Sequence, residues 1–130
     1  MKSKIQNALL AIAVTAGVTF AVSSCSKKSE NASPVITLVE PADGESIAVT
    51  DSLHVEGNFS DDEGLHEASI LVVKSTGDTA FQQYPYVHDL KTYSFHYHFK
   101  PSSAGSYTLK VVAEDHDEMR SEKNVSFTVN

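Results

Sequence analysis

The stretch TYSFHYHF, residues 92–99, alternates between two kinds of side chain. Aromatic residues occupy one parity, and Thr, Ser and two histidines occupy the other, which is the period of a β-strand whose faces differ. The aromatic parity predicts a face that packs into a core. The other parity places His96 and His98 side by side on the opposite face.

Similar short patterns recur from residue 35 onward. The stretch SLHVEGNFS, residues 52–60, alternates in the same way and puts His54 and Glu56 on its polar side. ASILVVK, residues 68–74, is apolar on both faces, which predicts a central strand. No segment longer than a turn has a helical period. Strands are predicted at 35–39, 52–60, 68–74, 80–87, 92–99, 106–114 and 124–129, with a brief further run at 46–49.

Seven or eight short antiparallel strands in about a hundred residues favour an immunoglobulin-like β-sandwich. AGSYTL, residues 104–109, resembles the tyrosine corner of immunoglobulin-like domains, with Tyr107 near the start of its strand. The topology of that fold predicts one sheet from strands 35–39, 52–60, 92–99 and 80–87, with 52–60 beside 92–99.

Three motifs extend the resemblance: LHVEG at 53–57, FHYHF at 95–99 and G-x-Y at 105–107. Together they resemble a family of small Ig-like bacterial lipoproteins catalogued as domain of unknown function 4625. The resemblance covers most of residues 34–130, and it implies an envelope domain without naming an activity. Many members carry a histidine after the tyrosine, where this chain has Thr108. The matching residues are His54, His96, His98, Gly105 and Tyr107.

The N-terminal segment has the composition of an export signal. Lys2 and Lys4 precede an apolar run that ends in VSSC, and the run is shorter than the roughly 18 to 20 residues that span a bilayer. Residues 22–25 resemble a bacterial lipobox, which predicts cleavage before Cys25 and its lipidation. We therefore expect a signal peptide at 1–24, a lipidated tether at 25–33 and one Ig-like domain at 34–130. The lipobox predicts attachment in the cell envelope, and Ser26 rather than Asp after Cys25 resembles lipoproteins sent to the outer membrane of Gram-negative bacteria.

Cysteine content and charge exclude several classes of function. The chain has one cysteine, so lipidation would leave neither a disulfide nor a cysteine nucleophile. Its net charge is −7, and loss of the two signal-peptide lysines leaves −9. Nucleic acid is an unfavourable partner for so acidic a chain. The expected partners are the membrane, through the lipid on Cys25, and a protein or glycan.

Histidines from two neighbouring strands suggest a metal site. In the predicted sheet His54, His96 and His98 emerge on one outer face, and imidazole nitrogens suit zinc or copper, with nickel also accepted. Glu56 shares this face and is a weaker candidate, either as a ligand or as a carboxylate that orients an imidazole. The other interpretation is a polar, solvent-facing surface in which these residues have no ligand.

A second candidate site lies in two acidic loops that Ig topology brings together. Carboxylate oxygens from two loops suit calcium, although acidic turns also occur without any ion. His116 lies in one of these loops without an expected partner, and His66 and His88 at strand ends carry no specific signal. The candidate calcium ligands are Asp61, Asp62 and Glu63 in the first loop and Asp115 and Asp117 in the second, beside Glu118.

Catalysis is not expected from this sequence. No nucleophile elbow, phosphate loop or HExxH motif is present, so we predict a non-enzymatic binding or accessory module. A metal-dependent hydrolase is the alternative, with Glu56 as its general base. Tyr84 and Tyr86 flank Pro85 on a predicted edge strand, where they either contact a glycan or protein or pack beneath a loop.

Overall fold

The computed structural model describes residues 30–130 as a β-sandwich of eight strands. The predicted signal peptide and Cys25 lie outside the described residues. Within residues 30–130 no helix is long and apolar enough to cross a membrane. The strands are β1 (Val35–Glu40), β2 (Glu45–Ile47), β3 (Leu53–Ser60), β4 (Leu65–Lys74), β5 (Thr79–Gln83), β6 (Thr92–Phe99), β7 (Gly105–Asp115) and β8 (Arg120–Val129).

The strands form two sheets, which confirms the predicted fold class. The smaller sheet has the order β1-β3-β6, and the larger has the order β2-β8-β7-β4-β5. All pairs are antiparallel except β2 with β8. The first segment of the domain therefore contributes β1 to one sheet and β2 to the other. β4 lies between β7 and β5, as the apolar pattern on both of its faces predicted.

The predicted partner of the strand at 80–87 was wrong. This strand, β5, pairs with β4 in the larger sheet and not with the sheet of β3 and β6. A turn of four residues, 75–78, joins β4 to β5, and Lys74 N–H donates to the Asp78 carbonyl across it at 2.8 Å. Strands joined by so short a turn pair with each other. The strand also ends at Gln83, before Pro85, which has no N–H to donate to a sheet.

Alternating side chains from both sheets fill the core, as the sequence pattern predicted. Burial alternates along β3, with its apolar residues inside and its polar residues outside. The most deeply buried apolar side chains come from β3, β4, β7 and β8, with Val87 added from the connection between β5 and β6. They include Phe59, Leu65, Ile70, Leu109 and Phe127. This apolar contact holds the sandwich together and fixes which residues of each strand face outward.

The tyrosine corner is present. Tyr107 is 2 % exposed, and its hydroxyl donates to the Ser103 carbonyl at 2.7 Å. Its ring stacks on Phe127 at 5.4 Å between centroids. This bond anchors the loop before β7 to the core, in the manner of immunoglobulin-like domains.

Candidate metal centre

The sheet trio, His54, His96 and His98, lies on the outer face of the smaller sheet. Strands β3 and β6 pair along their whole length, with His54 directly opposite His98 and Glu56 opposite His96. Phe95 and Phe99 on the inner face of β6 are buried, so the backbone beneath the trio is held by the core. The structure thus brings together the three histidines that the sequence placed on adjacent strands.

The rings of the sheet trio contact one another. The centroids of His54 and His98 are 4.5 Å apart, those of His96 and His98 4.9 Å, and those of His54 and His96 5.3 Å. One nitrogen from each ring lies within 4.8 Å of the others. Two ligands bound at 2.0 to 2.1 Å in a tetrahedral site are roughly 3.3 Å apart. Because the three side chains are exposed, small rotations about their side-chain bonds would close this difference.

The carboxylate beside the sheet trio comes from Glu40. Its Oε2 lies 3.6 Å from Nδ1 of His54. The sequence analysis named Glu56, whereas the ion pairs of residues 30–130 include none between Glu56 and a histidine. A register shift in β1 between Leu38 and Glu40 brings Glu40 opposite Glu56. This shift has no signal in the alternating pattern, so the sequence could not place Glu40.

The inner face beneath the sheet trio carries two neighbouring tyrosines. The hydroxyls of Tyr93 and Tyr97 are 3.4 Å apart. Burial and then the Tyr93 hydroxyl raise the pKa of Tyr97 to about 12. Both phenols are partly covered and not fully buried, because β5 has joined the other sheet and left β6 at an edge.

The two sheets and the tyrosine corner agree with a match between the sequence and a family model. The model of the bacterial Ig domain matches residues 34–111. The chain belongs to the bacterial Ig domain family. No curated protein matches the chain in sequence.

Solved structures share the fold of this Ig domain at low sequence identity. An engineered protein aligns with a TM-score of 0.56 at 17 % identity over 77 % of this chain, which spans only 21 % of the engineered protein. The fibronectin(III)-like modules of Clostridium thermocellum CbhA align at 0.51 and 14 % identity, covering 73 % of this chain and 94 % of theirs. The CARDB domain of a Pyrococcus furiosus protein, solved in complex with di-metal ions, aligns at 0.54 and 10 % identity, covering 78 % and 90 %. These likenesses concern the fold alone.

The acidic loops of the Ig domain use their carboxylates to hold turns. Asp61 Oδ1 accepts the N–H groups of Glu63 and Gly64 at 2.9 and 2.7 Å. Asp115 Oδ1 accepts those of Asp117 and Met119 at 2.8 and 2.9 Å. Such bonds are the ordinary turn chemistry of aspartate.

Calcium binding by these loops stays a prediction. The side-chain amide of Asn31 donates to Asp115 Oδ2 and Asp117 Oδ2 at 2.9 and 2.8 Å. Asp62 and Glu63 are exposed, and Oδ2 of Asp61 is buried with no hydrogen-bond partner in residues 30–130. Within that part of the chain, the groups of side chains close enough to share an ion are two histidine trios, and neither contains these acids.

The end trio, His66, His88 and His116, was missed by the sequence analysis. One nitrogen from each of these rings also lies within 4.8 Å of the others. His66 is at the start of β4, His88 in the connection from β5 to β6 and His116 in the turn from β7 to β8. Ig topology already placed the loops around His66 and His116 at one end. His88 could not be added, because the strand before it was assigned to the wrong sheet.

Tyr84 and Tyr86 lie in the same connection and face solvent. They are 65 % and 81 % exposed, whereas Val87 after them is buried. The structure therefore shows no packing of the two rings beneath a loop. They border a groove of about 500 Å³ that also touches His66 and His88.

Proposed function

We propose that this Ig domain is a non-enzymatic module of the cell envelope that binds a divalent transition metal at the sheet trio. The supporting observation is the pairing of β3 with β6, which sets His54 opposite His98 and His96 one pleat away. Three imidazoles are a donor set that zinc and copper accept. The paired strands fix the backbone before metal arrives, so little ordering is needed on binding.

A binding role fits the surroundings of the sheet trio better than catalysis. The trio lies on an open sheet face, with 47 % of the His54 side chain exposed. Metal-assisted hydrolysis needs a positioned base and a site that excludes water. The base considered from the sequence, Glu56, has no ion pair to the trio, and Glu40 beside His54 is 51 % exposed.

Lipid attachment at Cys25 is the second part of the proposal. It rests on the apolar run, the VSSC sequence and Ser26 after the cysteine, which resemble outer-membrane lipoproteins. Residues 25–33 would then hold the domain away from the lipid surface. The motifs around His54, His96 and Tyr107 support the narrower kinship with the lipoprotein family of domain of unknown function 4625.

An additional binding surface is favoured by one observation, the exposure of Tyr84 and Tyr86. Neighbouring exposed tyrosines offer flat apolar area and a hydroxyl, which suit a glycan or a protein partner. This role does not require metal, and it would persist in variants that lack the sheet trio.

The metal proposal is tested by thermal unfolding of the full chain in detergent, with Zn²⁺, Cu²⁺, Ni²⁺ or Ca²⁺. Cys25→Ser removes the thiol, and His88→Ala disables the end trio, so that the sheet trio supplies the response. A metal at 100 times its dissociation constant should add about 2.7 kcal/mol to the free energy of unfolding. In this background His96→Ala should abolish the increase, because two imidazoles hold the ion more weakly.

The matched control is Ser94→Ala, on the same face of β6 and one pleat from His96. It removes only an exposed hydrogen bond that the Asn58 side-chain amide donates to the Ser94 hydroxyl. The variant should keep the full metal response. An equal response in the His96→Ala and Ser94→Ala proteins would refute the sheet site. Stabilisation by Ca²⁺ alone would instead favour the acidic loops.

The anchor is tested separately by labelling cells with an alkyne analogue of palmitate. The natural chain should take up the label and run at the size of the processed protein. Cys25→Ser should lose both the label and the processing, because the cysteine thiol is the group that receives the lipid. Label retained by the variant would exclude Cys25 as the lipid site.

A further inference from the structure

We propose a second transition-metal site, formed by the end trio at the opposite end of the sandwich from the sheet trio. It uses none of the residues of the first site and does not depend on the proposed function.

The backbone fixes His66 and His88 beside each other. Leu65 N–H donates to the Leu90 carbonyl at 2.8 Å, and Asp89 N–H donates to the Leu65 carbonyl at 2.8 Å. This pair of bonds holds the connection before β6 against the start of β4. Asp89 has a φ of 63°, a left-handed conformation that aspartate tolerates better than most residues. The turn thereby places His88 against His66.

The turn that carries His116 is held just as firmly. Asp115 is 1 % exposed, and its Oδ1 accepts the N–H groups of Asp117 and Met119. Asp115 also lies opposite Leu65 in the pairing of β7 with β4. The position of His116 relative to His66 is therefore set by the sheet and by a bonded turn.

The ring geometry matches shared coordination. The centroids of His66 and His88 are 5.2 Å apart, those of His66 and His116 4.9 Å, and those of His88 and His116 4.8 Å. The Nδ1 atoms of His66 and His88 are 3.2 Å apart. Two nitrogens bound at 2.0 to 2.1 Å in a tetrahedral site are separated by roughly 3.3 Å, so this pair already has the required spacing.

Carboxylates lie beside the Nε2 atoms of all three rings. Asp89 Oδ1 is 2.9 Å from Nε2 of His116, and its Oδ2 is 3.6 Å from Nε2 of His88. Glu67 Oε1 is 4.0 Å from Nε2 of His66. Metal-bound histidines commonly donate their second N–H to a carboxylate, which fixes the tautomer and orients the ring. With Nε2–H directed at the acids, Nδ1 is the ligand atom that we assign to each ring.

A hydrogen bond between two imidazoles would explain the 3.2 Å contact alone. It would not require the third ring, nor one acid that spans His88 and His116. A cation held by the Nδ1 atoms accounts for all of these features at once. The three side chains are 39 to 42 % exposed, so an ion can enter and a water can complete its coordination.

The two trios are separate sites. His54 lies near the start of β3 and His66 just beyond its far end, and the rise of the strand between residues 54 and 60 is about 20 Å. The sheet trio is on strands of the smaller sheet, whereas His66, the strand residue of the end trio, belongs to the larger sheet. All six histidines of the chain belong to these two trios. The structure therefore predicts two metal ions per chain.

The test is a calorimetric titration of the full chain with Zn²⁺ in detergent, in the Cys25→Ser background and without a histidine tag. Two equivalents of Zn²⁺ should bind. His88→Ala should leave one equivalent, His96→Ala should leave the other, and the double variant should bind none. Absorption of Co²⁺ in each single variant should report a tetrahedral site.

Asp89→Asn tests the site without removing a ligand. Asparagine also tolerates the left-handed backbone, so the fold should persist while the affinity of one equivalent falls tenfold to a hundredfold. Asp62→Asn, an exposed acid in the neighbouring loop, is the matched control and should change neither affinity. If the Cys25→Ser protein binds one equivalent of Zn²⁺, and neither His88→Ala nor Asp89→Asn alters that binding, the second site is overturned and the first stays intact.

Discussion

Gly57 occupies an inward position of β3 where the ring of Phe95 takes the space of a side chain. The two residues are opposite each other in the pairing of β3 with β6. A Cβ atom on Gly57 would lie 2.6 Å from Cζ of Phe95 and would also meet the carbonyl oxygen of Thr37. The backbone carbonyl is held in the sheet, so it cannot withdraw. Glycine here permits the aromatic side chain to sit beneath the sheet trio.

We expect Gly57→Ala to lower the free energy of unfolding by about 1–3 kcal/mol, through overpacking of the core. Where there is room for the methyl group, replacing glycine by alanine raises the free energy of unfolding by about 0.4–1 kcal/mol. The sign of the change therefore shows whether Phe95 fills the space at Gly57. Urea denaturation measures it, with Asn58→Ala on the outer face of β3 as the control. A more stable Gly57→Ala protein would mean that Phe95 packs elsewhere.

At the scale of the strand, the inner face of β6 stabilises the fold and its outer face carries the proposed metal ligands. Its inner aromatics contact the core, and Phe95 lies 4.9 Å from Phe59 between ring centroids. Its outer histidines contact other histidines across the pleat. This division follows from the two-residue period, which is why the sequence could predict the sheet trio and the buried face together.

Two neighbouring substitutions on β6 should therefore have opposite consequences. Phe95→Ala should lower the free energy of unfolding by about 3–5 kcal/mol, because it empties a packed core position. His96→Ala, measured without metal, should change it by less than about 0.5 kcal/mol. Chemical denaturation in the presence of a chelator compares them directly. A large loss from His96→Ala would show that the outer face stabilises the fold by itself.

The end trio could not be predicted from the alternating pattern, because its geometry depends on turns and loops that the pattern does not encode. The sequence does show a short turn after Lys74, and a turn of that length predicts that β5 pairs with β4. After such a hairpin the chain crosses the end of the sandwich to reach β6. His88 then reaches His66 through the backbone bonds of Leu65 and Asp89, which join residues far apart in sequence. Glu40 likewise depended on a register shift within β1. Periodicity predicts which face a residue occupies, whereas these contacts are set by loops and shifts.

At the scale of the molecule, the two trios should stabilise the fold independently. Sites more than about 10 Å apart with no shared partner contribute additively. With Zn²⁺ at 100 times each dissociation constant, the two sites should together add about 5 kcal/mol relative to protein in chelator. Thermal unfolding of the natural chain, the His88→Ala and His96→Ala variants and the double variant gives the four values. A combined effect far from the sum would show that the trios communicate.

The first segment of the domain is bonded to both sheets, and this determines how the fold responds to tension from its N-terminal side. A pull on residue 30 should release the Asn31 amide from Asp115 and Asp117 and then detach β1 from β3, which removes one edge strand from the smaller sheet. The chain is then still fastened by Gly44 N–H to the Ser126 carbonyl and by Val49 N–H to the Asn130 carbonyl, both at 2.7 Å. Extension under force should accordingly proceed in two stages, with the larger sheet yielding only after the smaller one has lost its outermost strand.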